Sequence, residues 1–349
     1  MFRFYFPADD GAHIPNSLVD FQAWFEAQAR GSALLGPAAW IVQTFIRLQA
    51  RGLPCELVSQ WPKSGIVISH RDHLPESWEQ RSELFVVCCL ADRAYPHACA
   101  NLHILQNPYQ AVRLGPFLYV PHWPQPGLKP RDPLRGDRFE NLAFFGEIDN
   151  LTPELRGPEF ASWCRQEGMN FSIPSRDAWA DYGSVDAVIA VRRFTKEWVA
   201  FDKPATKLFN AWLAGVVPIL GREAAYAAEG RLGENCVVVP DLAALKARLI
   251  ALRQGFESVS KMLAAGEKAA KLRSHEAVTD HWCRALTIRI QPAADRRSRL
   301  GFRIPGFADF SVRLKAGLAW RGHLLKHRQP PAALLRGASK SADRVPGST

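Results

Sequence analysis

Asp202 to Gly221 reads DKPATKLFNAWLAGVVPILG, a helix-like half joined to a strand-like half. Its first half has helical composition and its second half is a short apolar strand, with Gly215 and Pro218 between them. Pro204 suits the first turn of a helix, where its missing N–H costs nothing, with Asp202 as N-cap and Gly215 as the stop. On such a helix Lys203, Lys207, Asn210 and Ala214 fall on one stripe, while Leu208, Ala211 and Trp212 form the adjacent packing stripe. Two lysines one turn apart repel by about a few tenths of a kcal/mol, and the positive end of the helix dipole adds to the cost. An anion at the helix N-terminus reverses both penalties. A diphosphate is the expected occupant, with Arg192 and Arg193 reaching it from the end of the strand-like run DAVIAV.

Outward from this stretch, the chain alternates between short apolar runs and helical segments. FRFYF, PCELVS, SGIVISH, LFVVCCLA, ANLHILQN and FLYVPHW read as strands of a first layer, with helical stretches near 17–29 and 37–51. Continuous runs rich in Val, Ile and Phe suit parallel strands covered on both faces. The proline-rich segment 126–138 then reads as a linker. A second series follows: NLAFFG, NFSI, DAVIAV, the opening helix, VVPILG and CVVV, with helices near 157–167, 223–229 and 241–285. This predicts two Rossmann-like α/β domains, 1–125 and 139–290, facing across a cleft, with a tail over 291–349. No GxGxxG follows the first strand, so the usual dinucleotide fingerprint is absent.

The net charge of +10 is unevenly placed. From Arg284 to Thr349 there are 14 Lys/Arg against 3 Asp/Glu, a balance of +11, so the preceding 283 residues sum to −1. The basicity therefore belongs to the tail, and the body is not a nucleic-acid binder on grounds of charge. Phe310, Leu314, Leu318, Trp320 and Leu324 interleave with the basic residues, the pattern of a membrane-surface helix. No stretch approaches the ~20 apolar residues of a membrane span. The start, MFRFYFPADDG, lacks the long apolar region of a signal peptide. Seven cysteines show neither a disulfide framework nor a CxxC metal pattern. A cytoplasmic protein, peripheral on a membrane through its tail, is the expectation.

KPATKLFNAWLAGVVPILG followed by REAAYAAEG resembles the donor-binding segment of GT-B-type glycosyltransferases, of the bacterial family 1 or 4 kind. In the retaining members that segment runs acidic residue, seven residues, then Glu-Ala-x-x-x-Gly-x-Pro. Asp202 occupies the first acidic position, and Asn210 the second, as a carboxamide. The resemblance implies that Asp202 holds donor-sugar hydroxyls and Asn210 the ribose, while Lys203, Lys207 and Arg192 bind diphosphate. Gly146, which ends NLAFFG, would let the diphosphate approach the backbone. The implied activity is sugar transfer from a nucleotide-diphosphate sugar to a glycan, a lipid-linked acceptor or another acceptor.

Two loops of the first half carry acid–base chemistry. DDGAHIPNS holds His13 and resembles the loop that carries a histidine base in several inverting members. SHRDHLP supplies His70, Asp72 and His73, where a carboxylate could orient an imidazole base. His13, Asp72 and His70 are the candidate catalytic residues. No metal site is expected, because His70, Asp72 and His73 lack the helical spacing of zinc ligands and no Asp-x-Asp element lies in a loop. No cofactor is expected beyond the donor, since cations and a helix dipole can stabilise a diphosphate leaving group. Two other readings stay open: a sugar-nucleotide epimerase of the same fold, and a non-catalytic protein that binds polyanions or nucleic acid through its tail.

Overall fold

The computed structural model describes residues 1–7, 15, 17–29, 35–74, 83–93, 96–97, 100–113, 117–255 and 257–299. His13 and the tail from residue 300 lie outside them. The chain divides into two compact units. Of the described residues, the first comprises Met1–Trp123, Phe201–Pro204 and 275–299, and the second comprises Pro124–Ala200 and Ala205–Ser274.

The first unit is built on six parallel strands: β1 (Phe2–Tyr5), β2 (Cys55–Val58), β3 (Gly65–His70), β4 (Leu84–Ala91), β5 (Leu102–Leu105) and β6 (Phe117–Tyr119). Their order is β2-β1-β3-β4-β5-β6, with Phe2 opposite both Cys55 and Ile66 and with Gly65 opposite Leu84. Every residue of β4 is buried, as its unbroken apolar run requires of a strand covered on both faces. Cys88 and Cys89 lie there with thiols that burial pushes up in pKa, so they act as packing groups. The chain leaves β1 for β2 on one side and returns to β3 on the other. The strand order therefore reverses between β1 and β3, and His70 ends one of those two strands.

The helix His275–Arg284 was expected to close the second domain but packs in the first unit. The reason is Trp282, which is fully buried and meets Phe4 edge-on at 6.4 Å and Trp40 at 6.3 Å. Trp123, at the end of the first unit's long N-terminal segment, donates from Nε1 to Thr44 Oγ1 at 2.7 Å. His122 sets its ring edge against Trp40. These aromatics are packing groups. Among the described residues no helix is long and apolar enough to cross a membrane.

The second unit has five parallel strands: β7 (Asn141–Ala143), β8 (Asn170–Ser172), β9 (Ala187–Ala190), β10 (Val217–Leu220) and β11 (Val237–Val238). Their order is β11-β10-β9-β7-β8, so the order reverses between β7 and β9. In open α/β sheets ligands bind beyond the carboxyl ends of the strands at such a reversal. Here those ends lead to Gly146 and Arg192. Two parallel-sheet α/β units confirm the fold class expected from the sequence.

The segment 126–138 is more than a tether. Arg131 and Arg135 both reach Asp186 at the start of β9, where they meet backbone N–H groups of Glu140 and Asn141 on the same carboxylate. The Lys129 N–H also donates to Ala180 O, and the Arg131 N–H to Ala214 O, both at 2.8 Å. Proline removes donors from this stretch, and the remaining polar groups stitch it to the second unit.

Candidate functional site

The opening helix spans Thr206–Ala214, one turn shorter at its start than the sequence suggested. Its N-cap is Ala205, not Asp202, and no side chain caps it. Pro204 is the cause: its ring disfavours the α region for the preceding residue, so Lys203 stays outside the helix. Gly215 ends the helix as expected, in the left-handed conformation at φ 69°. Lys203 and Lys207 are thus not turn neighbours, and the repulsion inferred for them is absent.

Lys207 is where the sequence placed the anion site. It is half-buried in the first turn of a helix whose leading N–H groups have no side-chain cap. Its Nζ lies 5.5 Å from the centre of the Phe144 ring. Gly146 has φ 152°, a backbone that favours glycine, and a Cβ there would sit 3.2 Å from that Nζ and press on it. Among the described residues Lys207 makes no ion pair. Burial pushes its pKa down to about 8, with Glu223 pulling the other way and Arg192 adding to the depression.

Arg192 comes in beside it, donating from Nη1 to Asn150 Oδ1 and ion-pairing through Nε with Glu223 Oε1 at 3.4 Å. Glu223 is 3% exposed and follows β10 just as Arg192 follows β9. The sequence reading passed over Glu223. Its signal was readable: a carboxylate placed directly after the buried strand VVPILG must have a cationic partner. Gly146, Lys207 and Arg192 thus come together around the strand reversal. The cluster holds two cations against one carboxylate, which suits a dianionic occupant.

Asn210 is not available for a ribose. It is 2% exposed, its Nδ2 donates to Gln125 Oε1 at 2.9 Å, and its Oδ1 accepts from the Gln125 N–H at 3.3 Å. Tyr182 hydrogen-bonds the same amide. A carboxamide offers a donor and an acceptor at once, so it clasps the backbone of the segment entering the unit where a carboxylate could not.

Asp202, Lys203, His70 and Asp72 lie in the first unit. Lys203 Nζ pairs with Asp92 Oδ2 at 2.9 Å and lies 3.7 Å from Asp202 Oδ2. Asn107 Nδ2 holds the Lys203 carbonyl at 3.0 Å. Arg93 lies 3.7 Å from Asp92 and grips both carboxylate oxygens of Asp72. These hydrogen bonds hold the Asp72 carboxyl below its ordinary pKa, against some upward pressure from burial. The Asp72 N–H donates to His70 Nδ1 at 3.2 Å, which assigns the neutral ring's proton to Nε2. As placed, Asp72 is a weak base and His70 presents a donor at Nε2, so neither is set up to take a proton. Among the described residues no group of three or more His, Cys, Asp or Glu side chains could hold a metal ion.

His70 carries a pH signature. It is 3% exposed, and burial pushes its pKa from 6.5 down to about 4 despite the nearby Asp72. Below pH 6.5 the unfolded chain takes up a proton that the folded ring refuses until about pH 4, so stability is lost as pH falls through that window. The loss attributable to this ring is about 3 kcal/mol at about 1.4 kcal/mol per unit. Urea denaturation of the wild type and His70→Gln between those pH values should show a shallower slope for the variant. Equal slopes would mean the ring is protonated in the folded state.

Among solved structures, sucrose-phosphate synthase from Thermosynechococcus elongatus matches with a TM-score of 0.50 at 9% identity, over 83% of this chain and 99% of that one. The fold is that of the GT-B proteins. HepE of Anabaena, solved in complex with UDP-glucose, matches at a TM-score of 0.45 and 10% identity, over 82% of this chain and 99% of that one. The catalytic domain of starch synthase IV from Arabidopsis thaliana, bound to ADP and acarbose, matches at 0.44 and 10% identity, over 80% of this chain and 78% of that one. No protein-family model matches the chain, and no curated protein does.

Proposed function

We propose that this protein is a glycosyltransferase that moves a sugar from a nucleoside diphosphate sugar to an acceptor hydroxyl. The observation that carries the reading is the cluster of Lys207, Arg192 and Gly146 at the strand reversal of a GT-B fold. The diphosphate lies against the Gly146 backbone, between the Lys207 ammonium and the Arg192 guanidinium, at the uncapped helix N-terminus. As the bond from sugar C1 to the diphosphate oxygen breaks, negative charge grows on the leaving group, and these fixed cations stabilise it. The acceptor oxygen bonds to C1 and gives up its proton to a base. Of the three acid–base candidates, Asp72 and His70 are held by other partners, and His13, outside the described residues, keeps the base role that the resemblance of its loop implies. Asp202 is retained for donor-sugar hydroxyls, and Asn210 takes no part in binding.

The charge supplied by Lys207, Arg192 and the helix replaces that of a metal ion, so the reaction is metal-independent in this reading. Transfer or donor hydrolysis should survive EDTA. Complete loss that Mg²⁺ or Mn²⁺ restores would assign part of the diphosphate charge to a metal. Release of nucleoside diphosphate separates transfer from epimerisation, which leaves the nucleotide attached.

The acceptor is a glycan or a lipid-linked sugar, and the +11 balance from Arg284 onward brings the enzyme to an anionic membrane from the cytoplasmic side. Each basic residue near such a surface is worth up to about 1 kcal/mol, within a Debye length. Truncation after Arg299 keeps the helix Gln291–Arg299, whose Ala293 and Ala294 pack on the first unit's core. That truncated protein loses 9 Lys/Arg and 2 Asp/Glu, +7 of the +11, and should co-sediment with anionic vesicles far more weakly yet keep activity on a soluble acceptor. Full-length protein that ignores such vesicles at low salt would remove the membrane from the proposal.

A further inference from the structure

A second cavity, of about 670 Å³, opens in the second unit beside β11, within the range of small-molecule pockets. Two segments past the strand ends supply Trp198 and Arg222 to its wall, and the rest comes from β11 and the chain on either side of it. The chain after β9 runs alongside the chain after β10, with the Val199 N–H donating to Arg222 O at 2.9 Å and the Ala224 N–H to Val199 O at 2.8 Å. Neighbouring side chains on the second segment diverge: Glu223 is buried against Arg192, and Arg222 lines the cavity. The Arg222 guanidinium sits 4.6 Å from the centre of the Trp198 ring, and its buried Nε has no acceptor.

Lys261 lines the same cavity from the first turn of the helix Val259–Lys271, where the dipole disfavours a cation. Among the described residues neither Arg222 nor Lys261 has an ion-pair partner. The other charges of the lining are paired: Arg248 with Glu257, and Glu234 with Arg231. Leu232 and Met262 supply apolar surface beside the two cations.

We propose that this cavity binds a small organic anion, its phosphate or carboxylate held between Arg222 and Lys261 and its apolar body laid on Leu232 and Met262. The site is separate from the Lys207 cluster and stands whether or not the donor reading is right. The test is calorimetric titration of the full chain with phenyl phosphate, benzoate and phenol. Phenyl phosphate or benzoate should bind at least about tenfold more tightly than phenol, and the stronger of the two identifies the preferred anion. Arg222→Gln and Lys261→Gln should each weaken that anion by about tenfold or more, while Lys207→Ala leaves it unchanged. Lys261 is exposed, so its replacement leaves the fold intact. The proposal is overturned if neither anion gives saturable binding at about 10 mM, a scale at which even weak specific sites fill. It is equally overturned if both glutamine variants bind like the wild type, or if Lys207→Ala abolishes binding and so places the probe in the other cluster.

Discussion

Asp186→Ala is expected to lower the stability of the second unit by about 3–5 kcal/mol, the usual cost of removing one partner from a buried ion pair. The Asp186 side chain has no exposure, and those of Arg131 and Arg135 are 6% and 14% exposed. Burial pushes the Asp186 carboxyl up, but hydrogen bonds from Arg135, the Asn141 and Glu140 N–H groups and Arg131 bring it down to about 2. Without the carboxylate, two guanidinium groups and two N–H groups lose their acceptor together. The loss frees the segment 126–138 as well, because both arginines belong to it. Urea denaturation of the full chain checks this. A change below about 1 kcal/mol would be the value of an exposed pair and would mean that water reaches these arginines.

Lys207→Ala is expected to weaken the nucleoside diphosphate sugar by about 1.5–3 kcal/mol, roughly ten- to 150-fold, the size of a hydrogen bond to a charged group. Its ammonium is already desolvated and has no carboxylate of its own, so little water is stripped when the diphosphate arrives. With its pKa at about 8 in the free protein, the lysine is charged below that pH and loses its proton above it. Donor affinity should therefore be full below pH 8 and fall as pH rises, and this fall should vanish in Lys207→Ala. Glu223 is the counterweight that keeps the lysine protonated near neutrality. No gain in stability is expected from relief of repulsion with Lys203, because Lys203 stands outside the helix.

The strands were legible because their apolar runs are short, continuous and separated by turn residues. GIVISH and LFVVCCLA could only be covered strands, and they put His70 at a strand end. Lys207, Arg192 and Gly146 were legible for the same reason, since each follows from where a strand stops or a helix begins. Lys203 was misread because Pro204 speaks in two directions. It permits a first helical turn at its own position and forbids one at the residue before. Nothing local announces Asp92 as the partner of Lys203, 111 residues away. The Asn210 amide was assigned to a ligand because nothing local announces Gln125, 85 residues away, as its partner. The departure of His275–Arg284 to the first unit was equally hidden, since the amphipathic pattern of a helix names the face it buries but not the sheet that receives it.

On the proposed function, the Lys207 cluster holds the diphosphate of a sugar donor. Calorimetric titration of the full chain with UDP-, GDP- and ADP-sugars, and with a CMP-sugar that carries only one phosphate, tests it most directly. At least one diphosphate sugar should bind saturably, and the CMP-sugar should bind more weakly. Lys207→Ala should lose roughly tenfold or more of the affinity, while Asn210→Asp, which alters a residue outside the site, should affect stability more than binding. Failure of every diphosphate sugar to bind, or equal affinity in wild type and Lys207→Ala, would contradict it.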